Sequence, residues 1–260
     1  MTIEQIYKEY IEQLRNIYEE REATNIADWV FENITGIKRI ERTLNKQTQL
    51  SKIVVEQLNN ALEQLLQHRP IQYVLGEAWF YKMKLFVNKY VLIPRPETEE
   101  LVEWIVDEVK MKNEKLKIID VGVGSGCIAI ALKKELVNES VSGIDVSAEA
   151  LAVAKKNAAD QGVNIDLLQI DFLNENSWHA LPVFNIIVSN PPYIPEREKD
   201  LLEKNVVDYE PYSALFVSDN APFIFYEKMA KFAVEHLEEN GKMYVEVNEK
   251  YADEVAEIFS

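Results

Sequence analysis

From residue 116 onward the chain alternates short strand-forming runs with stretches of helical periodicity, and few folds accept that order. Strands are expected at residues 116–121, 140–145, 165–170, 184–188 and 242–247, with helices at 126–136, 147–159 and 222–237. Ser147 is the expected N-cap of the second of these helices, with Gly162 just beyond its end, and Asn240-Gly241 the expected stop of the third. Such alternation predicts an α/β chain, a doubly wound and mainly parallel sheet with helices on both faces. Ligands of such sheets sit beyond the carboxyl ends of the strands. The residues there are the first candidates for function.

The chain before this region reads differently. Across residues 1–70 apolar side chains recur at helical spacing, among them Ile3, Ile6, Tyr10 and Leu14, then Ile26 and Val30, then Leu58, Leu62 and Leu65. Ser51 is a good N-cap for the last of these helices, which should end before Pro70. A small helical domain over 1–70 follows, either a structural cap or a docking module for a macromolecule. Residues 71–93 turn to β-prone pieces, 78–87 and 90–93, and read as a β-hairpin linker turning at Asn88-Lys89. Pro94-Arg95-Pro96-Glu97-Thr98 stops the second piece, and Pro96 opens a helix to about Lys112. The remainder, 94–260, is the expected catalytic domain.

Its strand ends carry chemistry. Asp120-Val121-Gly122-Val123-Gly124-Ser125-Gly126 lies where a strand becomes a helix, and glycine lets backbone approach a ligand closely. The spacing is G-x-G-x-G; the dinucleotide fingerprint needs glycine where this chain has Cys127, which is read as a small packing residue. Alone the loop is equally a tight turn. Asp145 ends the next strand, where a carboxylate can accept both hydroxyl hydrogens of a ribose, and Asp171-Phe172 ends the third, an acceptor for an adenine amino group beside an aromatic ring. Each Asp alone is as well read as a helix cap or solvated turn. Three successive strand ends so equipped describe an adenosine site without a phosphate clamp.

At the fourth strand end stands Ser189-Asn190-Pro191-Pro192-Tyr193, after the apolar run 184–188. The proline pair ends the strand and leaves carbonyls without neighbouring N–H donors, so the turn is rich in acceptors. It suits a substrate that brings an NH2 group.

Composition narrows the partners. With 44 acidic against 28 basic residues the formal charge is −16, which opposes tight binding to long nucleic acid. No apolar run approaches the ~20 residues of a membrane span and the N-terminus lacks a signal-peptide core, so a cytoplasmic location is expected. One cysteine and three scattered histidines offer neither an internal disulfide nor a metal site.

The order of these motifs resembles the class I S-adenosylmethionine-dependent methyltransferases, in which Asn-Pro-Pro-Tyr at the fourth strand end marks methylation of planar nitrogen. Further stretches resemble the HemK/PrmC family of release factor glutamine methyltransferases: Arg69-Pro70-Ile71-Gln72-Tyr73-Val74-Leu75-Gly76, Leu92-Ile93-Pro94-Arg95-Pro96-Glu97-Thr98-Glu99, and Tyr209-Glu210-Pro211 followed by Ala214-Leu215. The resemblance spans about residues 1–250. It implies S-adenosyl-L-methionine as cofactor and, as substrate, the glutamine amide of the Gly-Gly-Gln tripeptide of peptide-chain release factors, with residues 1–70 docking the protein. It implies that Gly122, Val123, Gly124, Ser125 and Gly126 approach the methionine part of the cofactor, Asp145 its ribose, and Asp171 and Phe172 its adenine. Asn190 and Pro191 would accept hydrogens from the substrate amide, with Pro192 beside them and Tyr193 against the amide plane. Arg95 and Glu97 order a lid or form a solvated turn. Two departures stand out: Phe216 to Pro222 replaces a Gly-rich segment usual in the family, and the family's fold continues into a sixth and seventh strand, so the C-terminal strands are expected to be missing from this sequence. The rival readings are an adenine-amino methyltransferase on DNA or RNA, and a non-catalytic partner-binding protein of methyltransferase fold.

Overall fold

The structure, a computed structural model, describes residues 1–110 and 115–260. It divides into two compact units, residues 1–76 with 204–209, and residues 77–203 with 210–260.

The first unit is helical: α1 (Ile3–Leu14), α2 (Glu20–Thr35), α3 (Arg39–Leu44), α4 (Lys52–Leu66) and α5 (Ile71–Leu75). Local chemistry sets the ends. Thr2 and Gln5 form a reciprocal capping box at the start of α1, Gly36 closes α2 in the left-handed region, and Ser51 caps α4 by accepting from the Val54 N–H. The apolar faces anticipated from spacing meet in one core of Ile6, Tyr10, Leu14, Val30, Phe31, Leu58 and Leu65. Residues 71–75 are helical, not β: Pro70 starts a single turn and Gly76 ends it with φ +67°. A short apolar run of this kind has no periodicity to separate the two states.

The second unit opens with a hairpin shorter than expected, β1 (Ala78–Phe80) against β2 (Met83–Leu85). It turns at Tyr81-Lys82, both with positive φ, a task usually given to Asn and Gly, so the sequence carries no turn signal there. Residues 90–93 form no strand. Then follow α6 (Glu97–Lys110), β3 (Lys117–Val121), α7 (Cys127–Glu135), β4 (Ser140–Asp145), α8 (Ala148–Asp160), β5 (Asp166–Gln169), β6 (Phe184–Ser189), β7 (Ile194–Pro195), α9 (Lys204–Tyr209), α10 (Tyr212–Leu215), β8 (Phe216–Val217), α11 (Ile224–His236), β9 (Leu237–Val245) and α12 (Ala252–Ile258). The expected helix end at Lys112 lies outside the described residues. Helix α9 belongs to the first unit, where the Tyr209 hydroxyl donates to the Gln67 carbonyl at 2.6 Å.

The central sheet is five-stranded and parallel throughout, in the order β5-β4-β3-β6-β9. Alternation along β3 assigns its faces. Ile118 packs with Val106, Ile130 and Leu132 under α6 and α7, while Ile119 and Val121 face Trp178, Met229 and Phe232 under α11. Strand β9 starts earlier than expected, directly after α11, because Asn240-Gly241 does not stop the helix. Leu237 does, and the register to β6 jumps from Leu237 to Lys242. Gly241 sits inside this irregularity, where a Cβ would lie 2.7 Å from the Leu237 side chain. The sheet order reverses between β3 and β6, whose last residues Val121 and Ser189 are paired. That reversal is the crevice where a ligand is expected.

One buried side chain ties the crevice to the hairpin. Asn157 of α8, 1 % exposed, donates to the carbonyls of Ser125 (2.8 Å) and Phe86 (2.9 Å) and accepts from the Phe86 N–H (2.7 Å). Asn157→Leu keeps the volume and takes the partner from one buried and two part-buried backbone groups, so urea unfolding should show a loss of about 3 kcal/mol. A loss under about 1 kcal/mol would contradict this role.

Candidate active site

Beyond the carboxyl ends of β3, β4 and β6 lies a cavity of about 260 Å³. It is near the lower end of small-molecule sites, roughly 300 Å³ upward. The glycine loop forms its floor: the N–H groups of Gly122 and Val123 both donate to the Ile144 carbonyl at 2.9 Å, and Gly122, with φ +77°, has open space where a Cβ would stand. Gly126 is different. It caps α7 at φ +82°, a Cβ there would meet Ile130 at 2.9 Å and Ala154 at 3.2 Å, and it does not line the cavity. Its place is helix packing, whereas Gly122, Val123, Gly124 and Ser125 line the cavity.

Asp145 holds the loop as well as the cavity wall. Its Oδ2 accepts from the Gly124 N–H and its Oδ1 from the Ser147 N–H, each at 2.9 Å, leaving each oxygen further lone pairs. Burial raises its pKa, and these same backbone donors oppose the rise. Asp171 is exposed at the cavity edge, its Oδ1 accepting from the Leu173 N–H at 3.0 Å. Phe172 lines the cavity, yet the residue is 6 % exposed and its ring is engaged with Trp178 and Phe232, both with centroids 5.4 Å away. The aromatic face offered by the sequence is therefore largely core.

Under the loop lies Asp120, 1 % exposed. Its Oδ2 accepts from the Ala129 N–H at 3.2 Å, and its Oδ1 has no partner. Burial pushes its pKa up to about 7. Cys127 of α7 lines the cavity and packs against the core, and burial pushes its thiol up to about 12. It is a poor nucleophile at neutral pH.

The fourth strand end completes the wall. Asn190, Pro191 and Pro192 line the cavity; Tyr193 lies behind them, its hydroxyl donating to Glu246 Oε1 at 3.4 Å. The Asn190 Nδ2 donates to Thr98 Oγ1 at 3.1 Å, and the Thr98 hydroxyl donates to Glu246 Oε2 at 2.6 Å. Opposite, residues 90–95 form a strap anchored by Glu210. This buried carboxylate accepts from the Ile93 N–H at 3.0 Å and pairs with Arg95 at 2.6 Å. Arg95 is thus structural, and Glu97 is solvent-exposed. Glu246, Asn157 and the roles of Thr98 and Glu210 escaped the sequence reading. Thr98 and Glu210 both stood in quoted motifs, and the Arg95–Glu210 pair is one that a search for opposite charges would find.

The donor set says what fits. Arg95 is the cationic side chain on the cavity wall and is taken by Glu210, so phosphate finds no clamp. Asp145 and Asp171 offer acceptors for hydroxyls and an amino group, and their carboxylates favour positive charge. An adenosine bearing a cationic centre meets these conditions, and a pyrophosphate does not.

Two family models match: one described as the PrmC N-terminal domain over residues 5–76, the other as the methyltransferase small domain over residues 99–208. The release factor glutamine methyltransferase of Flavobacterium psychrophilum is 43% identical over 260 residues, spanning 99% of this chain and 90% of that protein. That of Bacteroides thetaiotaomicron is 38% identical over 247 residues, spanning 95% of this chain and 87% of that protein. Among solved structures, a SAM-dependent methyltransferase from Agrobacterium tumefaciens shares the fold, with a TM-score of 0.51 at 16% identity over 71% of this chain and 57% of that one.

The Asp120 carboxyl gives a pH signature. Its folded pKa is raised, so the fold favours the protonated form. The stabilisation is complete below the ordinary value of 3.8 and is lost as pH rises through about 7. Asp120→Asn cannot ionise. Thermal denaturation should find the variant more stable than the parent at pH 8, by on the order of 4 kcal/mol, with the advantage gone near pH 4. An advantage independent of pH would contradict the assignment.

Proposed function

The chain belongs to the release factor glutamine methyltransferase family, and from that premise we propose how its residues transfer a methyl group to the side-chain amide of glutamine in the Gly-Gly-Gln tripeptide of release factors. The cofactor is S-adenosyl-L-methionine, which when bound supplies a methyl group already activated by its sulfonium. The observation that carries the reading is the juxtaposition, across the β3–β6 pair, of the glycine loop with Asn190-Pro191.

An amide nitrogen is a weak nucleophile because its lone pair is delocalised into the carbonyl. What the protein has to contribute is orientation and an environment that accepts developing positive charge on that nitrogen. Asn190 does this with its side-chain carbonyl, since its NH2 is already spent on Thr98. Pro191 offers its backbone carbonyl as the second acceptor. Held between these two acceptors, the hydrogens of the substrate NH2 would orient its nitrogen toward the glycine loop, where the bound cofactor would supply the methyl group; the methylated nitrogen then sheds one of its two N–H hydrogens as a proton. Pro192 walls the site, and Tyr193 backs it through Glu246. Asp145 takes the ribose hydroxyls, Asp171 the adenine amino group, and Gly122, Gly124 and the adjoining Val123 and Ser125 the methionine portion. Phe172 bounds the adenine end from the core, beside the more exposed Leu173.

The helical first unit, which the PrmC N-terminal domain model covers, is the docking module for the release factor in this proposal. A direct nucleic-acid substrate is no part of it, since a net charge of −16 works against binding a polyanion. Among the described residues no helix is long and apolar enough to cross a membrane. A soluble, cytoplasmic setting alongside the translation machinery accords with the reading.

Incubation of the protein with labelled S-adenosylmethionine and a purified release factor should label the factor, and Gln→Ala in its Gly-Gly-Gln should abolish labelling. Asn190→Ala should lower the rate about 10²–10³-fold while calorimetric affinity for S-adenosylmethionine stays within a few-fold, since the lost contact is to the substrate amide. Labelling that survives the Gln→Ala change, or an Asn190→Ala protein of full activity, would overturn the proposal.

A further inference from the structure

A side-chain amide has no shape preference for which end faces a substrate. Its oxygen and nitrogen are near-equal in size, and a half-turn exchanges an acceptor for two donors. For Asn190 the choice decides the chemistry. Oxygen toward the cavity receives an NH2 group; nitrogen toward it repels one and would suit a carboxylate instead.

The structure contains a device that makes this choice. Asn190 Nδ2 sits 3.1 Å from Thr98 Oγ1. A hydroxyl by itself is indifferent, able to accept from an amide NH2 or donate to an amide carbonyl. This one is not free. Its hydrogen goes to Glu246 Oε2 at 2.6 Å, and as a carboxylate Glu246 has no hydrogen to give back; burial raises its pKa, and the hydrogen bonds from Thr98, Tyr193 and Asn190 oppose the rise and hold the charged form. Thr98 Oγ1 can therefore only accept from Asn190, which must present its NH2 and turn its carbonyl away. Thr98 is 2 % exposed, so water has little room to take over either bond. The other oxygen of Glu246 receives the Tyr193 hydroxyl at 3.4 Å, and the Tyr226 hydroxyl donates to the Glu246 backbone carbonyl at 3.1 Å. The carboxylate is held from α6 and from the turn after β6, and the Glu246 backbone from α11.

We infer that Glu246, acting through Thr98, is a positioning residue that sets the polarity of the Asn190 amide and so selects a substrate amide over a carboxylate. The inference rests on the proposed role of Asn190. Glu246 does not line the cavity and touches neither substrate nor cofactor; its effect reaches the reaction through Thr98 and Asn190.

The test is a double-mutant cycle on methyl transfer to a release factor. Thr98→Val removes the hydroxyl at constant shape and should lower kcat about tenfold, the equivalent of one hydrogen bond, with KM for S-adenosylmethionine unchanged. Thr98→Ser, which keeps the hydroxyl, should restore the rate to within about threefold of the parent. In an Asn190→Ala background Thr98→Val should cost nothing further, because the group it orients is gone. Glu246→Gln is the second probe. It keeps the side chain's size but can offer an NH2 to Thr98, and it should likewise lower kcat only where Asn190 is present. A Thr98→Val protein at the parental rate, or an equal loss with and without Asn190, would overturn the inference while leaving the role of Asn190 standing. Full activity of Asn190→Ala itself would overturn both.

Discussion

The parallel pairing of β3 with β6 is the contact on which the site depends. It brings Val121 and Ser189 side by side, reinforced by the Ser189 hydroxyl donating to the Val121 carbonyl at 2.6 Å. Immediately beyond these residues the chain diverges, one strand into the glycine loop and the other into the proline turn. The loop's bare backbone and the turn's acceptors then face a common space without any long-range arrangement of flexible side chains. Because the pairing is made of buried ladder hydrogen bonds between apolar strands, the geometry between the glycine loop and the proline turn is as rigid as the sheet.

Around that pair the structure adds supports of two kinds. Asp145 and Asn157 hold the glycine loop from the β4 and α8 side, the first through Gly124 and the second through Ser125. Glu210 and Glu246 hold the other walls, the first fixing the strap at Ile93 and Arg95, the second the Thr98–Asn190 chain. All four are polar side chains satisfied by backbone groups or by other side chains, the condition under which burying them is tolerable. Asp120 is the exception, a carboxyl with one oxygen unpartnered beneath the loop. Burial there favours its protonated form.

Much of this was legible in the sequence because it is local. Glycine spacing, an aspartate at a strand end and a proline pair after an apolar run each carry their meaning within a few residues, and the Gly122, Asp145 and Asn190 they single out line one cavity. The supports other than Asp145 were not legible, since each joins distant positions: Thr98 and Glu246 are 148 residues apart, Arg95 and Glu210 115, Asn157 and Phe86 71. Only the fold makes them neighbours. The misread elements have local causes of their own. The hairpin turns on Tyr81-Lys82, residues that do not advertise a left-handed turn, and Asn240-Gly241, which does advertise a stop, is absorbed into an irregular strand. Gly126 belonged to a cofactor motif by spacing, yet its crowding against Ala154 gives it to helix packing.

The central claim is that Asn190 meets the substrate with its carbonyl. Its most direct test is a crystal structure of the protein with S-adenosylhomocysteine and a Gly-Gly-Gln peptide. The account predicts the glutamine side-chain nitrogen at about 3 Å from Asn190 Oδ1, with Asn190 Nδ2 still on Thr98 and the nitrogen facing the cofactor sulfur. A glutamine amide bound elsewhere, or one whose carbonyl rather than nitrogen meets Asn190, would contradict it.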